Sequence, residues 1–218
     1  MKDEKKISIT ASNKEIQYTH MEKGSKVICF MFSGTGYTYD KPLFYYATMV
    51  MLKNNIDVVH VHYSYDENER NLPINEFSKL MVDDVDSVVR DVLEKGGYTE
   101  TIFLGKSLGT IPIIAKYGLD ANYSDSKVIL LTPLLKMDAF FEGILGSINE
   151  TFLVIGKNDV HYVQNKITKL KEKRNLKMKE INNANHSLDI EPYNTTVSII
   201  SLGEIMDSIN DFTINKKG

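Results

Sequence analysis

Apolar residues along this chain recur with two different periods, and the change from one to the other divides it. Residues 6–10 (KISIT) and 15–21 (EIQYTHM) alternate apolar and polar side chains, the period-two pattern of strands with one buried face. They predict a hairpin-like pair. From residue 26 the pattern shifts to apolar runs of strand length, at 26–32, 56–62, 100–105, 127–132 and 151–155, with a last strand placed at 176–181. Strands covered on both faces require such runs. Between them lie segments whose apolar residues recur at helical spacing. These are 41–54, where Pro42 suits a first turn; 74–95, with Phe77, Leu80, Met81, Val85, Val88, Val89 and Val92; Ser107 to about Tyr117; about 161–173; and about 195–212. Two antiparallel strands followed by repeated βα units predict a mostly parallel sheet of about eight strands with helices on both faces. Ligands of such sheets bind at the carboxyl ends of the strands, so the loops there are where chemistry is expected.

Composition narrows this picture. With 218 residues, 42% of them hydrophobic, the chain can fill one substantial core, and no Pro/Gly/Ser-rich linker or repeat interrupts residues 20–200, so 1–218 is expected to be a single domain. A net charge of −3 supplies no field for nucleic acid or an anionic membrane, and neither partner is expected. The lysine-rich stretch 166–179 interleaves Lys with Ile167 and Leu170, as a solvated helix face does. No apolar run is long enough to cross a bilayer and no secretory leader opens the chain, which points to the cytoplasm. Cys29, in an apolar strand, is the only cysteine and reads as a packed core thiol.

Candidate chemistry centres on residues 102–111, IFLGKSLGTI. As a phosphate loop, G-x-x-x-x-G-K-[ST], it fails where the first glycine is required, because Glu100 stands there. The dinucleotide alternative at 34–39, GTGYTY, has Tyr39 in place of its third glycine. Gly-x-Ser-x-Gly fits: Gly105, Ser107 and Gly109 sit between a strand and a helix-competent segment, where a tight strained turn needs small neighbours. Pro112 is tolerated early in that helix.

In this context the chain resembles the α/β-hydrolase superfamily, whose nucleophile follows the fifth strand of an eight-stranded sheet, as Ser107 does here. The resemblance covers roughly residues 5–212 and implies a Ser-Asp-His triad completed by Asp159, after the seventh strand, and His186, after the eighth. Asp138, after the sixth, is the competing acid. It also implies an oxyanion hole from the backbone N–H groups of Leu108 and of Thr35, beside Gly34, although Ser33 stands where many members have histidine. The implied activity is that of a serine hydrolase cleaving small carboxylic esters, thioesters included, through an acyl-enzyme on Ser107, with a small-molecule ester as its partner and no metal or organic cofactor. The same triad serves peptidases and amide hydrolases, and a catalytically silent binding protein is the reading from another class.

The remaining histidines and aromatics carry weaker signals. His60 and His62 form an H-x-H pair whose metal-site continuation fails at Ser64 and Tyr65, so both read as filled sheet positions, and His161 is expected outside the site. Tyr37, Tyr39, Phe44, Tyr45, Tyr46, Tyr63, Tyr65, Phe140 and Phe141 are expected to be mostly core, with a few lining an apolar pocket. Residues 133–150 can hold one short helix but no multi-helix cap. A minimal lid or none is therefore expected, with that helix laid over the sheet edge or the pocket mouth.

Overall fold

Apolar runs of strand length find a solvent-free place only if they lie side by side with helices over both faces. In the computed structural model, which describes residues 2–214, they do, and the last strand, at the sheet edge, is only partly buried. The strands are β1 (Lys2–Ile9), β2 (Glu15–Glu22), β3 (Val27–Phe32), β4 (Asp57–His62), β5 (Glu100–Lys106), β6 (Lys127–Leu131), β7 (Glu150–Gly156) and β8 (Leu176–Ile181). They form one sheet in the order β1-β2-β4-β3-β5-β6-β7-β8. β1 and β2 pair antiparallel, β2 meets β4 antiparallel, and every later pairing is parallel. In register, Phe32 lies beside Gly105 and Gly105 beside Leu130, so the central strands end level at one rim.

Side-chain alternation sends each central strand into two cores. Phe30, Phe32 and Phe103 pack with α3 (Ile74–Gly96), α4 (Asp138–Gly146) and α5 (Gln164–Lys171). Cys29, Met31, Ile102 and Leu104 pack on the other face with α1 (Pro42–Lys53) and α6 (Thr195–Ile214). Burial pushes the Cys29 thiol far up, which leaves it inert. A four-residue helix, α2 (Glu67–Arg70), was not anticipated. It buries no side chain and is held by a capping box between Asp66 and Glu69, so it has no apolar period to read.

Two segments depart from expectation. Instead of one regular helix after β5, the chain makes a tight 3-10 turn at Ser107–Thr110 and a wide π turn at Ile113–Tyr117, closed by a 2.7 Å bond from the Gly118 N–H to the Ile113 carbonyl. The short helix expected within 133–150 forms as α4, but its apolar face is spent in the core. Phe140, Phe141 and Ile144 are buried, and Gly143 lies so close to Ile114 that an added Cβ would collide with it. α4 therefore covers the flank of the π turn and not a pocket mouth.

Candidate active site

Ser107 leaves the end of β5 in the left-handed region, at φ 53°. A non-glycine residue there is strained, and the turn closes because Gly105 and Gly109, two residues to either side, bring no side chain. A Cβ on Gly105 would collide with the Gly109 backbone, and one on Gly109 with the carbonyls of Phe32 and Ser33. The two glycines of the motif thus let the turn close on itself and on the end of β3. That places the Ser107 hydroxyl above the rim of the sheet.

The loops after β7 and β8 are laced together before they reach the serine. Gly156 lies against the Ala184 carbonyl with no room for a Cβ, and the Asn158 N–H donates to the same carbonyl at 2.9 Å. Beyond Ala184 the chain turns sharply, with the Asn185 side chain accepting from the Ser187 N–H at 2.8 Å and Leu188 at φ 67°. His186 projects from this turn. Its Nδ1 lies 2.8 and 2.9 Å from the two carboxylate oxygens of Asp159, and its Nε2 lies 2.8 Å from Ser107 Oγ. The Asp159 carboxylate is wholly buried and also accepts from the His161 N–H at 2.8 Å. The structure therefore brings Ser107, His186 and Asp159 into one continuous hydrogen-bonded chain. Asp138 is not part of it. It opens α4 with an exposed side chain and pairs with Lys166.

Gly34 and Thr35 form the facing wall. A Cβ on Gly34 would stand 3.1 Å from Ser107 Cβ, so this loop runs directly against the elbow. Gly36 at φ 67° turns the loop back, with the Tyr37 N–H donating to the Gly34 carbonyl at 3.2 Å. No described group accepts from the Thr35 N–H. Leu108 lies in the first turn after the strand, where an N–H has no intrahelical acceptor. Where the family pattern has histidine, tyrosines brace the loop. The Tyr63 hydroxyl donates to the Ser33 carbonyl, and the Tyr39 hydroxyl lies 2.7 Å from the carbonyls of Met31 and Val61.

Two hollows flank this line of residues and share Gly36. One, of about 210 Å³, lies on the α3 side and is lined by Thr35, Tyr63, Tyr65, Arg70, Met81 and Leu108. The other, of about 540 Å³, lies on the α1 and α6 side beside Tyr37, Leu43, Asn185, Ser187 and Leu188. Of the aromatics, Tyr37, Tyr63 and Tyr65 thus reach a hollow, while Tyr45 and Tyr46 are exposed on α1 and Phe140 and Phe141 are core. His60 bonds Thr48 at 2.8 Å and stacks on Tyr39, and burial, with His62 beside it, holds its imidazole down at about 3. His62 bonds Thr19 at 2.8 Å.

Three residues at the site were not anticipated there. The ring of His161 lies 5.3 Å from that of His186, contrary to the expectation that it points elsewhere. Burial lowers its pKa, opposed by the Asp159 carboxylate. Lys106 turns its ammonium inward, 2.8 Å from the His186 carbonyl and 3.1 Å from Thr132 Oγ1. Thr132, wholly buried just past β6, has φ 47°. The sequence offers one signal for this trio, a lysine at the end of a buried strand.

No family model matches the chain, and no curated protein matches it in sequence. Solved structures do match it in shape. The esterase Pf2001 of Pyrococcus furiosus superposes with a TM-score of 0.72 at 11% identity, over 97% of this chain and 91% of that one. Est1E from Butyrivibrio proteoclasticus gives 0.72 at 10% identity, over 96% and 97%. XC6422 from Xanthomonas campestris, described as an α/β serine hydrolase without lid, gives 0.68 at 10% identity, over 98% and 94%. At such identities the likeness speaks for the fold, which is that of the α/β hydrolases.

Proposed function

We propose that this chain, an α/β hydrolase by fold, is a serine hydrolase that cleaves small carboxylic esters, thioesters included, through an acyl-enzyme on Ser107. The observation that carries the reading is the unbroken Ser107–His186–Asp159 chain ending on a serine held at φ 53°. A serine hydroxyl is a poor nucleophile until a neighbouring base accepts its proton, and the base needs a carboxylate to fix its tautomer and stabilise its cation. With Nδ1–H donated to Asp159, His186 Nε2 takes the proton as Oγ attacks the ester carbonyl. The negative charge that develops on the carbonyl oxygen is met by the N–H groups of Thr35 and Leu108, a pair whose single members are typically worth about 3 kcal/mol in the transition state. His186 then returns the proton to the departing alcohol or thiol. Water, deprotonated by the same imidazole, releases the acid and restores Ser107.

The hollow beside Thr35 and Leu108, at about 210 Å³, falls below the roughly 300 Å³ at which drug-sized pockets begin. That supports a short acyl group. Hydrolysis of p-nitrophenyl acetate and butyrate tests the reading. Wild type should turn both over, and Ser107→Ala should lose about 10⁴-fold in kcat. Activity retained in Ser107→Ala, or absent from the wild type, would refute the proposal.

A further inference from the structure

The lysine of Gly-Lys-Ser, which in sequence invites comparison with a phosphate loop, has no access to a phosphate. Lys106 is 1% exposed, and its ammonium sits beneath the site. An ammonium in such a place is costly to bury, and an apolar side chain of similar length would fill the space without that cost. The groups it meets come from the loops that build the site. It donates to the carbonyl of His186, after β8, at 2.8 Å and to Thr132 Oγ1, after β6, at 3.1 Å. Its ammonium also stands 4.6 Å above the ring of Tyr37, in the loop after β3. Thr132 takes up φ 47°, which a β-branched residue seldom adopts. Two unfavourable local features therefore coincide at one contact, one residue from the serine and on the backbone of the histidine.

We propose that Lys106 is a positioning residue: its buried ammonium latches the His186 backbone to the end of β5, so that the imidazole meets Ser107 at bonding distance. The inference rests on the reaction assigned above to Ser107. Because Lys106 touches the main chain of His186, it constrains the ring position without taking part in proton transfer. Displacing a reacting group by about 1 Å costs on the order of 10²-fold in rate. Burial draws the ammonium down to about 8, while the carboxylates of Asp159 and Asp189 oppose that shift. Tyr37, the other titratable group against it, is itself pushed up by burial to about 12 and stays neutral there. Loss of the Lys106 proton weakens the charge-assisted bond to the carbonyl, so the latch loosens above about pH 8.

Steady-state kinetics of Lys106→Met across pH 6 to 10 provide the test, with proton NMR of the far-downfield His186 Nδ1–H signal, identified by its loss in Asp159→Asn. The latch predicts a fall in kcat of about 10²-fold with KM little changed. It also predicts a wild-type decline in kcat near pH 8 that the variant lacks, and a broadened or shifted Nδ1–H signal. A Lys106→Met enzyme with wild-type kcat and the same alkaline decline would overturn it. If Lys106→Met does not fold, Thr132→Val replaces it. Losing one acceptor should move the wild-type decline to lower pH, and an unmoved decline would overturn the latch. If the wild type hydrolyses no ester, the assigned reaction fails separately, and the latch is judged on the Nδ1–H signal alone, where no change in either variant refutes it.

Discussion

On the proposed reading, the buried ammonium beside Ser107 sets stability and activity against each other over one range of pH. Lys106 loses its proton at about pH 8 in the folded chain, against 10.5 for an ordinary lysine. Between those values the unfolded chain binds more protons than the folded one, so folded stability rises with pH through that window, by up to roughly 3 kcal/mol. Below about pH 8 the full cost of burying the charge is present. Lys106→Met should therefore be more stable than wild type at pH 7, by an amount that shrinks toward pH 10, as urea denaturation at both pH values would record. Equal stability at both would contradict the assigned burial cost. At this scale the sequence was legible where residue type and chain order carry the information. Ser107, Asp159 and His186 stand in the chain order of the superfamily the sequence resembles, and the structure brings them into one hydrogen-bonded chain. A lysine ending a buried strand was one signal for Lys106, but nothing local says which way such a side chain turns, and the groups it meets come from loops far apart in the chain.

The elements tell the same story through packing. β3 to β7 were legible because a strand covered on both faces must be largely apolar, β1 and β2 because one buried face leaves a period of two, and the long helices because α3 carries an uninterrupted stripe. α2 was hidden because its only support is a polar capping box. The irregular path after Ser107 was hidden too, since Ile111, Ile113, Ile114 and Tyr117 are apolar in any helical winding and all are buried. For α4 the segment was right, and of its two expected placements the pocket mouth does not hold. Phe140, Phe141 and Ile144 could face a pocket or a core, and their burial, with Gly143 against Ile114, puts them in the core. Phe141→Ala should accordingly cost about 3–5 kcal/mol in thermal or chemical unfolding while leaving the acyl-length preference of the folded enzyme unchanged. A variant of wild-type stability with altered chain-length preference would make α4 a lid after all.

Across the whole molecule, the sheet brings the ends of β3, β5, β7 and β8 to one rim, and with them the four loops that carry Thr35, Ser107, Asp159 and His186. No element between β6 and β7 reaches over that rim, so the site stands open between its two hollows. Soluble esters with about two to six acyl carbons should then be preferred, each methylene adding about 0.8 kcal/mol until the wall of the small hollow ends. Activity should not rise when a long-chain ester passes from monomer to emulsion, and a marked rise would show a mobile cover. None of the helices among the described residues is long and apolar enough to cross a membrane. Stoichiometric labelling with a fluorophosphonate, read by intact mass and peptide mapping, asks whether Ser107 is a nucleophile activated through His186 by Asp159. One adduct per chain is expected, on Ser107, forming orders of magnitude more slowly in Asp159→Asn and at nearly the wild-type rate in Asp138→Asn. A native chain that stays unlabelled, an adduct on another residue, or the reverse ranking of the two aspartates would contradict it.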